Sequence, residues 1–365
     1  MKHDLNFAKL TVAACLWSCA ISGSVFAQQK ELRIDRNPDR RAELFQNIVI
    51  KPWAEKNAVK IVQGTFNSDE QVLATARATP GALDLIYMGG TSVYRGIKLG
   101  LLEQIRLENV PNFTKYVNKK YQHQKVDTGP GTHHLADAPG VFLVVYAKEK
   151  FPTPPAESYA VLHDPQYKGK FAVRDYAIYE FLMNAAYLGY NIEELTSLTK
   201  EQEAKLFETV GQQRKLVKTY WKSGAENRTL LANREIWISD YWISPTLDQK
   251  KELNLGWFMA KEGSPMWMQG WAIGKGAKNR DLAESLLNYY YDPKVFMEYK
   301  RALGSDIVIL NDDAYDRAGF EKDYPDLAKM GQAVSERGKD INPEFIEKIE
   351  AKWIERFEEI KLDAN

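Results

Sequence analysis

The stretch KEGSPMWMQGWAIGKGAKN, residues 261–279, sets Trp267, Gln269 and Trp271 in alternation between two turn signals. Alternate residues of a strand share one face, so two indoles and an amide would stand in one row. An indole offers a broad apolar face that also attracts cations. A primary amide both donates and accepts hydrogen bonds. Together they suit recognition of a small polar molecule; the competing reading is an ordinary core edge. Trp271 reads as core, behind the other two. A second candidate is Gly89-Gly90-Thr91-Ser92, between the apolar run ALDLIYM and a helical stretch. A strand that opens into a helix N-terminus aims backbone amides at ligand oxygens, which makes Thr91 and Ser92 candidates. A third is SDYW, where Asp240 and Tyr241 end an apolar strand.

Bond-making chemistry finds little support. The chain has no H-E-x-x-H, no G-x-S-x-G and no G-x-G-x-x-G, and GKGAKN lacks the P-loop spacing. His133 and His134 are adjacent, so on an extended segment they point to opposite faces and do not share a metal. The triple tyrosine at 289–291 falls at a helix end and reads as packing. No metal site and no cofactor is expected. The alternative to a binding protein is a secreted hydrolase acting on a small molecule or glycan. Its mark would be a strongly raised carboxylate paired with a second acid in a cleft. A surface adhesin would instead have no closed cleft.

The elements that must position these residues alternate. ELRID is a strand and residues 40–56 a helix; VKIVQGTF is a strand and SDEQVLATARAT a helix capped by Ser68. ALDLIYMGG and TSVYRGIKLGLL repeat the pattern. Such spacing indicates parallel βαβ units and an α/β fold. APGVFLVVYAKEKF is a strongly apolar strand. Residues 278–303 are helical, with a break at Asp292-Pro293. INPEFIEKIEAKWIERFEEIKL is an amphipathic docking helix: Asn342 caps it, and Phe345, Ile349, Trp353, Phe357 and Ile360 share a face.

The 365 residues allow two domains. Basic and acidic residues balance at 49 each, which argues against nucleic acid as partner. Residues 1–27 read as a signal peptide: two lysines, the apolar run LTVAACLWSCAISGSVF, and Val25 and Ala27 before the cut. A lipoprotein reading through Cys15 would leave too short an apolar region. Both cysteines, Cys15 and Cys19, lie in this segment, so the exported chain would have no disulfide and no thiol chemistry. The expected location is the periplasm.

Four segments in order resemble the polyamine-type (spermidine/putrescine-binding) periplasmic solute-binding proteins of ABC importers. They are ALDLIYMGGTSVYRGIKLGLLEQI, PGVFLVVYAKEKF, LHDPQYKGKFAVRD and KEGSPMWMQGWAIGKGAKNRDLAESLLNYYYDPKVFMEY. The resemblance implies a two-lobed periplasmic-binding-protein fold with hinge strands and an interlobe cleft. Residues 28–138 with 270–305 would form one lobe, and 139–269 with 306–365 the other. Crossings would fall near 139–146, 269–273 and 304–311. The protein would be a monomer that captures one small-molecule ligand and delivers it to an ABC-transporter membrane permease.

The same resemblance places the site, and the departures tune it. The family's hinge has Trp followed two residues later by Asp; here Trp267 stays and Gln269 replaces the acid. The first loop, where the family has an aromatic and an acid, reads DRNPDRR and makes Arg36 and Asn37 candidates. In RDYAIYEF, Asp175 keeps one acid while Tyr176 and Tyr179 replace others. An unpaired ammonium in a closed cleft is costly, so this loss of acids argues against a linear polyamine. The expected ligand is an opine, amino acid, carboxylate or polyol. Arg36, Arg40 or Arg174 would hold a carboxylate, and Asp175 or Asp240 an amine.

Overall fold

The computed structural model describes residues 30–243, 246, 249–305 and 307–363. The expected signal peptide and both cysteines lie outside the described residues. Eleven strands are present among them: β1 (Lys30–Arg36), β2 (Val59–Thr65), β3 (Leu85–Gly89), β4 (Leu102–Glu103), β5 (His134–Ala147), β6 (Phe171–Arg174), β7 (Thr219–Trp221), β8 (Ile238–Trp242), β9 (Leu255–Phe258), β10 (Ser264–Gly274) and β11 (Gly338–Asp340).

The first lobe begins as parallel βαβ units. β1 pairs in parallel with β2 and with β3. Asp39 caps the helix Arg40–Phe45 by accepting from the Ala42 N–H. That helix does not run on unbroken to residue 56: Gln46–Ile50 is a π turn before Lys51–Asn57 resumes. Pro52 brings no N–H and crowds the preceding turn, which a widened turn relieves. Ser68 caps Asp69–Ala78 as expected. Gly90, at φ 58, turns β3 into the helix Thr91–Lys98, a backbone that other residues rarely adopt.

β5 and β10 tie the two lobes together. The sheet order is β2-β1-β3-β10-β5-β8-β6-β7. β5 pairs with β10 through residues 134–141 and with β8 and β9 through residues 142–147, so one strand serves both lobes. Its near-continuous apolar sequence follows from burial on both faces. β10 pairs with β3 through Gln269–Ile273. That segment therefore sits inside the first lobe's sheet, and the crossing lies before Gln269, earlier than expected. Where β5 meets β10 the register slips: Gln269 faces Ala138 and Gly270 faces Ala136. Asp137 is the extra residue of this bulge. Its buried carboxylate accepts from Tyr87, Tyr290 and the fully buried Lys300. Burial pushes its pKa up, but Lys300 and the hydrogen bonds outweigh that and hold it below the usual carboxylate value.

Each lobe has its own core. Leu32, Phe45, Trp53, Leu85, Trp271 and Tyr290 belong to the first. Phe142, Phe171, Phe181, Trp221, Tyr241 and Trp353 belong to the second. The helix Pro343–Leu362 packs into the second core through Phe345, Trp353, Phe357 and Ile360. Ile309, Leu310, Phe320 and Leu327 instead join the first core, and the Asn118 N–H donates to the Ile309 carbonyl. Not all of 306–365 therefore packs with the second lobe. No helix among the described residues is long and apolar enough to cross a membrane.

Candidate functional site

A cleft of about 1560 Å³, open mouth included, separates the lobes. Its floor is the hinge: Ala138, Pro139 and Gly140 of β5 and Trp267 and Gln269 of β10. Trp267 and Gln269 are half-buried on the cleft face, while Trp271, next in the alternation, is fully buried. Trp271 packs on Phe45 and Tyr87, each at 4.8 Å. The row of three divides because the first lobe covers only its far end.

Trp267 is positioned by a glycine. It stands opposite Gly140 across the strand pair, and a Cβ on Gly140 would lie 2.2 Å from the indole. Only a bare backbone lets the ring lie there. On its other sides the indole meets Tyr179 at 5.1 Å and Phe142 at 5.7 Å. Tyr176 sits edge-on to Tyr179 at 5.0 Å. These rings, with Trp242, make the second lobe's wall aromatic.

The first lobe's wall is polar. Thr91 and Ser92 begin the helix after Gly90 and line the cleft, as does Asn37, whose amide donates to the Phe66 carbonyl. Asp39, Asp69, Glu70 and Arg41 stand on the same side, and Arg174 faces them from the second lobe. Asp69 accepts from the Gly89 N–H at 3.2 Å. Burial, then the neighbouring charge of Glu70, pushes its carboxyl up to about 6, against the lowering effect of that bond. Arg174 lies against both Trp221 and Trp242, with its guanidinium carbon 4.7 and 5.0 Å from their centroids.

Four expected site residues are elsewhere. Asp240 is fully buried beneath the wall; it accepts from Trp221 Nε1 at 2.9 Å and from the Arg174 N–H, and burial pushes it up to about 7. Tyr241 is also fully buried and donates to the Gly224 carbonyl at 2.8 Å. Side chains alternate along β8, so it is Trp242, one residue on, that reaches the cleft. Asp175 is held by Lys361 of the C-terminal helix at 2.6 Å, and does not line the cleft. Arg36 is buried against Phe45, Tyr87 and Trp271. The acids that do line the cleft are Asp69, Glu70 and Asp39 rather than Asp175 or Asp240. Asp69 and Glu70 read from sequence only as first-turn acids of a helix. The available signal was their place just after a parallel strand, where ligands of α/β sheets bind.

The two histidines are structural: His133 pairs with Asp127 at 2.9 Å, and His134 bonds the Met88 carbonyl and Gln124. Asp69 and Glu70 meet part of the hydrolase description, one raised acid beside another. They are adjacent on one rim, whereas glycoside hydrolysis needs carboxylates flanking the scissile bond.

The profile of the bacterial extracellular solute-binding proteins matches residues 49–329. The spermidine/putrescine-binding periplasmic protein of Escherichia coli (strain K12) is 23% identical over 277 residues, covering 70% of this chain and 72% of that protein. Among solved structures, the spermidine/putrescine ABC transporter substrate-binding protein PotD of Streptococcus pneumoniae superposes with a TM-score of 0.77 at 17% identity, covering 92% of this chain and 100% of that one. The periplasmic binding protein MotA of A. tumefaciens B6, in complex with glucopine, gives 0.71 at 18% identity over 91% and 99%. The fold is thus the two-lobed one of periplasmic binding proteins, and such relatives favour binding over hydrolysis. This chain belongs to the bacterial extracellular solute-binding protein family, whose members bind small molecules and work with ABC-transporter permeases.

Proposed function

We propose that the protein captures a small solute bearing both an amine and a carboxylate, such as an opine or amino acid, and passes it to its permease without turnover. The observation that carries this is the charge layout of the cleft. Asp69 and Glu70 occupy the first lobe's wall, and Arg174 faces them from the second across Trp267 and Gln269. A ligand touching both walls favours lobe closure by its differential contacts with them. Relatives named for spermidine and putrescine, for glucopine and for GABA support a scaffold open to retuning. Gln269 at the hinge and Arg174 in the wall support a ligand less cationic than a polyamine.

The remaining parts of the reading are proposals too. The chain is exported to the periplasm by a signal peptide cut after Ala27, acts as a monomer and binds no nucleic acid. Its first lobe comprises 28–138 and 270–305, and its second 139–269 with the C-terminal helix; the packing of Ile309, Leu310, Phe320 and Leu327 supports counting 307–327 with the first. The test is a thermal-shift screen of residues 28–365 with spermidine, putrescine, γ-aminobutyrate, glucopine and agropinic acid. Saturation at 100 to 1,000 times the dissociation constant stabilises by roughly 3–4 kcal/mol. A shift with spermidine or putrescine and none with the carboxylate-bearing compounds refutes the ligand class.

A further inference from the structure

Behind the first loop lies a second cavity, of about 790 Å³ with its mouth, that the cleft does not account for. Arg36, Gln46, Gln63 and Thr65 line it, together with the carboxylates of Asp39 and Glu43. Asn37 and Asp39 also line the cleft, so the two cavities share a wall. Arg36 is only 6% exposed, yet its Nε and Nη1 have no hydrogen-bond acceptor. Three rings hold it: Tyr87 at 4.7 Å, Phe45 at 5.3 Å and Trp271 at 5.6 Å from its guanidinium carbon. Ring faces stabilise the charge but leave directional N–H donors unused. Asp39 stands 3.9 Å from Nη2, too far for a hydrogen bond, and its Oδ1 already accepts the Ala42 N–H. Asp35 is engaged by Arg33. In the same lining, Gln46 Oε1 is buried and likewise without a donor.

We propose that this chamber is an anion subsite, in which Arg36 takes a carboxylate arm of the ligand and Gln46 accepts from an N–H or O–H beside that carboxylate. It rests on the reading of a carboxylate-bearing solute, and it names the part of the ligand that reaches past the cleft. A buried guanidinium with idle donors is an unfavourable arrangement. A carboxylate supplies the planar pair of acceptors that a guanidinium fork matches. Gln46, the first residue of the π turn, supplies an unpaired acceptor for the N–H or O–H of an α-amino or α-hydroxy acid, which a plain acid lacks.

The chamber can be tested apart from the cleft with small probes. Iminodiacetate and acetate are titrated against the wild-type protein, with chloride at equal ionic strength as control. Iminodiacetate is expected to bind more tightly than acetate, and Arg36→Gln to weaken it at least about 30-fold. Gln46→Leu is expected to erase the preference for iminodiacetate while leaving acetate binding within about threefold. As a readout that does not depend on the variant's folding, the wild-type Arg36 Nε–H resonance is followed as well, and should shift with either probe. An unmoved resonance, or a folded Arg36→Gln protein that binds iminodiacetate like the wild type, overturns the chamber and leaves Arg36 as packing. A response to spermidine or putrescine alone in the screen above refutes the ligand class, whereas these probes decide the chamber itself.

Discussion

The two walls of the cleft are built on different principles. The first lobe presents helix starts: Thr91 and Ser92 after Gly90, and Asp69 and Glu70 after Ser68. The second presents packed rings, Tyr176, Tyr179 and Trp242, with Trp267 between the lobes. Helix starts supply direction, since their amides and acids point one way. Rings supply area and tolerate many partners. A scaffold divided in this way can change ligand by altering one wall while the other is kept.

The comparison breaks most readily at Trp267. Trp267→Ala removes the ring on which both walls converge, and we expect about 2–4 kcal/mol of binding to be lost in calorimetry with whichever probe responds. A loss below tenfold would mean that the aromatic wall does not contact the ligand. Gly140→Ala tests the same wall without touching the ring's chemistry. The added methyl must push the indole aside, and an expected cost of about 1–3 kcal/mol should appear in both affinity and melting temperature.

The polar wall is sharpened by pH. Burial raises Asp69 to about 6, so its charge is lost within an accessible range. Affinity for γ-aminobutyrate should fall as pH drops from 7.5 to 5, and Asp69→Asn should abolish that dependence. An unchanged pH profile in the variant would exclude Asp69 as the amine partner. Stability follows the opposite course. A carboxyl raised in the folded state binds protons that the unfolded chain has released. Its contribution is full below the unfolded value of about 3.9 and is lost as pH rises through the folded one. Asp69 should therefore lower stability as pH rises from about 4 to about 6, and Asp240 as it rises from about 4 to about 7. Urea unfolding of Asp240→Asn should show a flatter dependence of stability on pH between about 5 and 7.

The smallest expected effect lies away from both walls. Tyr94, Arg95 and Lys98, on the helix that begins at Thr91, bond Glu347 and Glu350 of the C-terminal helix. These contacts join the lobes outside the cleft. Exposed pairs contribute about 0–1 kcal/mol each, so Glu347→Gln with Glu350→Gln should weaken binding by about threefold to fivefold, and raised salt should mimic it. Affinity indifferent to both changes would show that lobe closure does not draw on this contact.

Much of the frame was legible in the chain. Period-two and period-3.6 patterns marked strands and helices, and Ser68 and Asn342 marked starts, because capping is a local bond between neighbours. The alternation at 267–271 placed Trp267 and Gln269 on one face for the same reason. Which strand ends open into a cleft is not local. Asp240 and Asp175 carry the same group as Asp69, yet Trp221 and Lys361 claim the first two. Asp69 was passed over because a first-turn acid looks alike whether it faces solvent or a ligand. Sequence by itself determined the elements, the α/β class and the aromatic hinge strand, since these depend on residues a few positions apart. Only the tertiary structure decided which acids and arginines meet across the cleft, since that depends on packing between segments over a hundred residues apart.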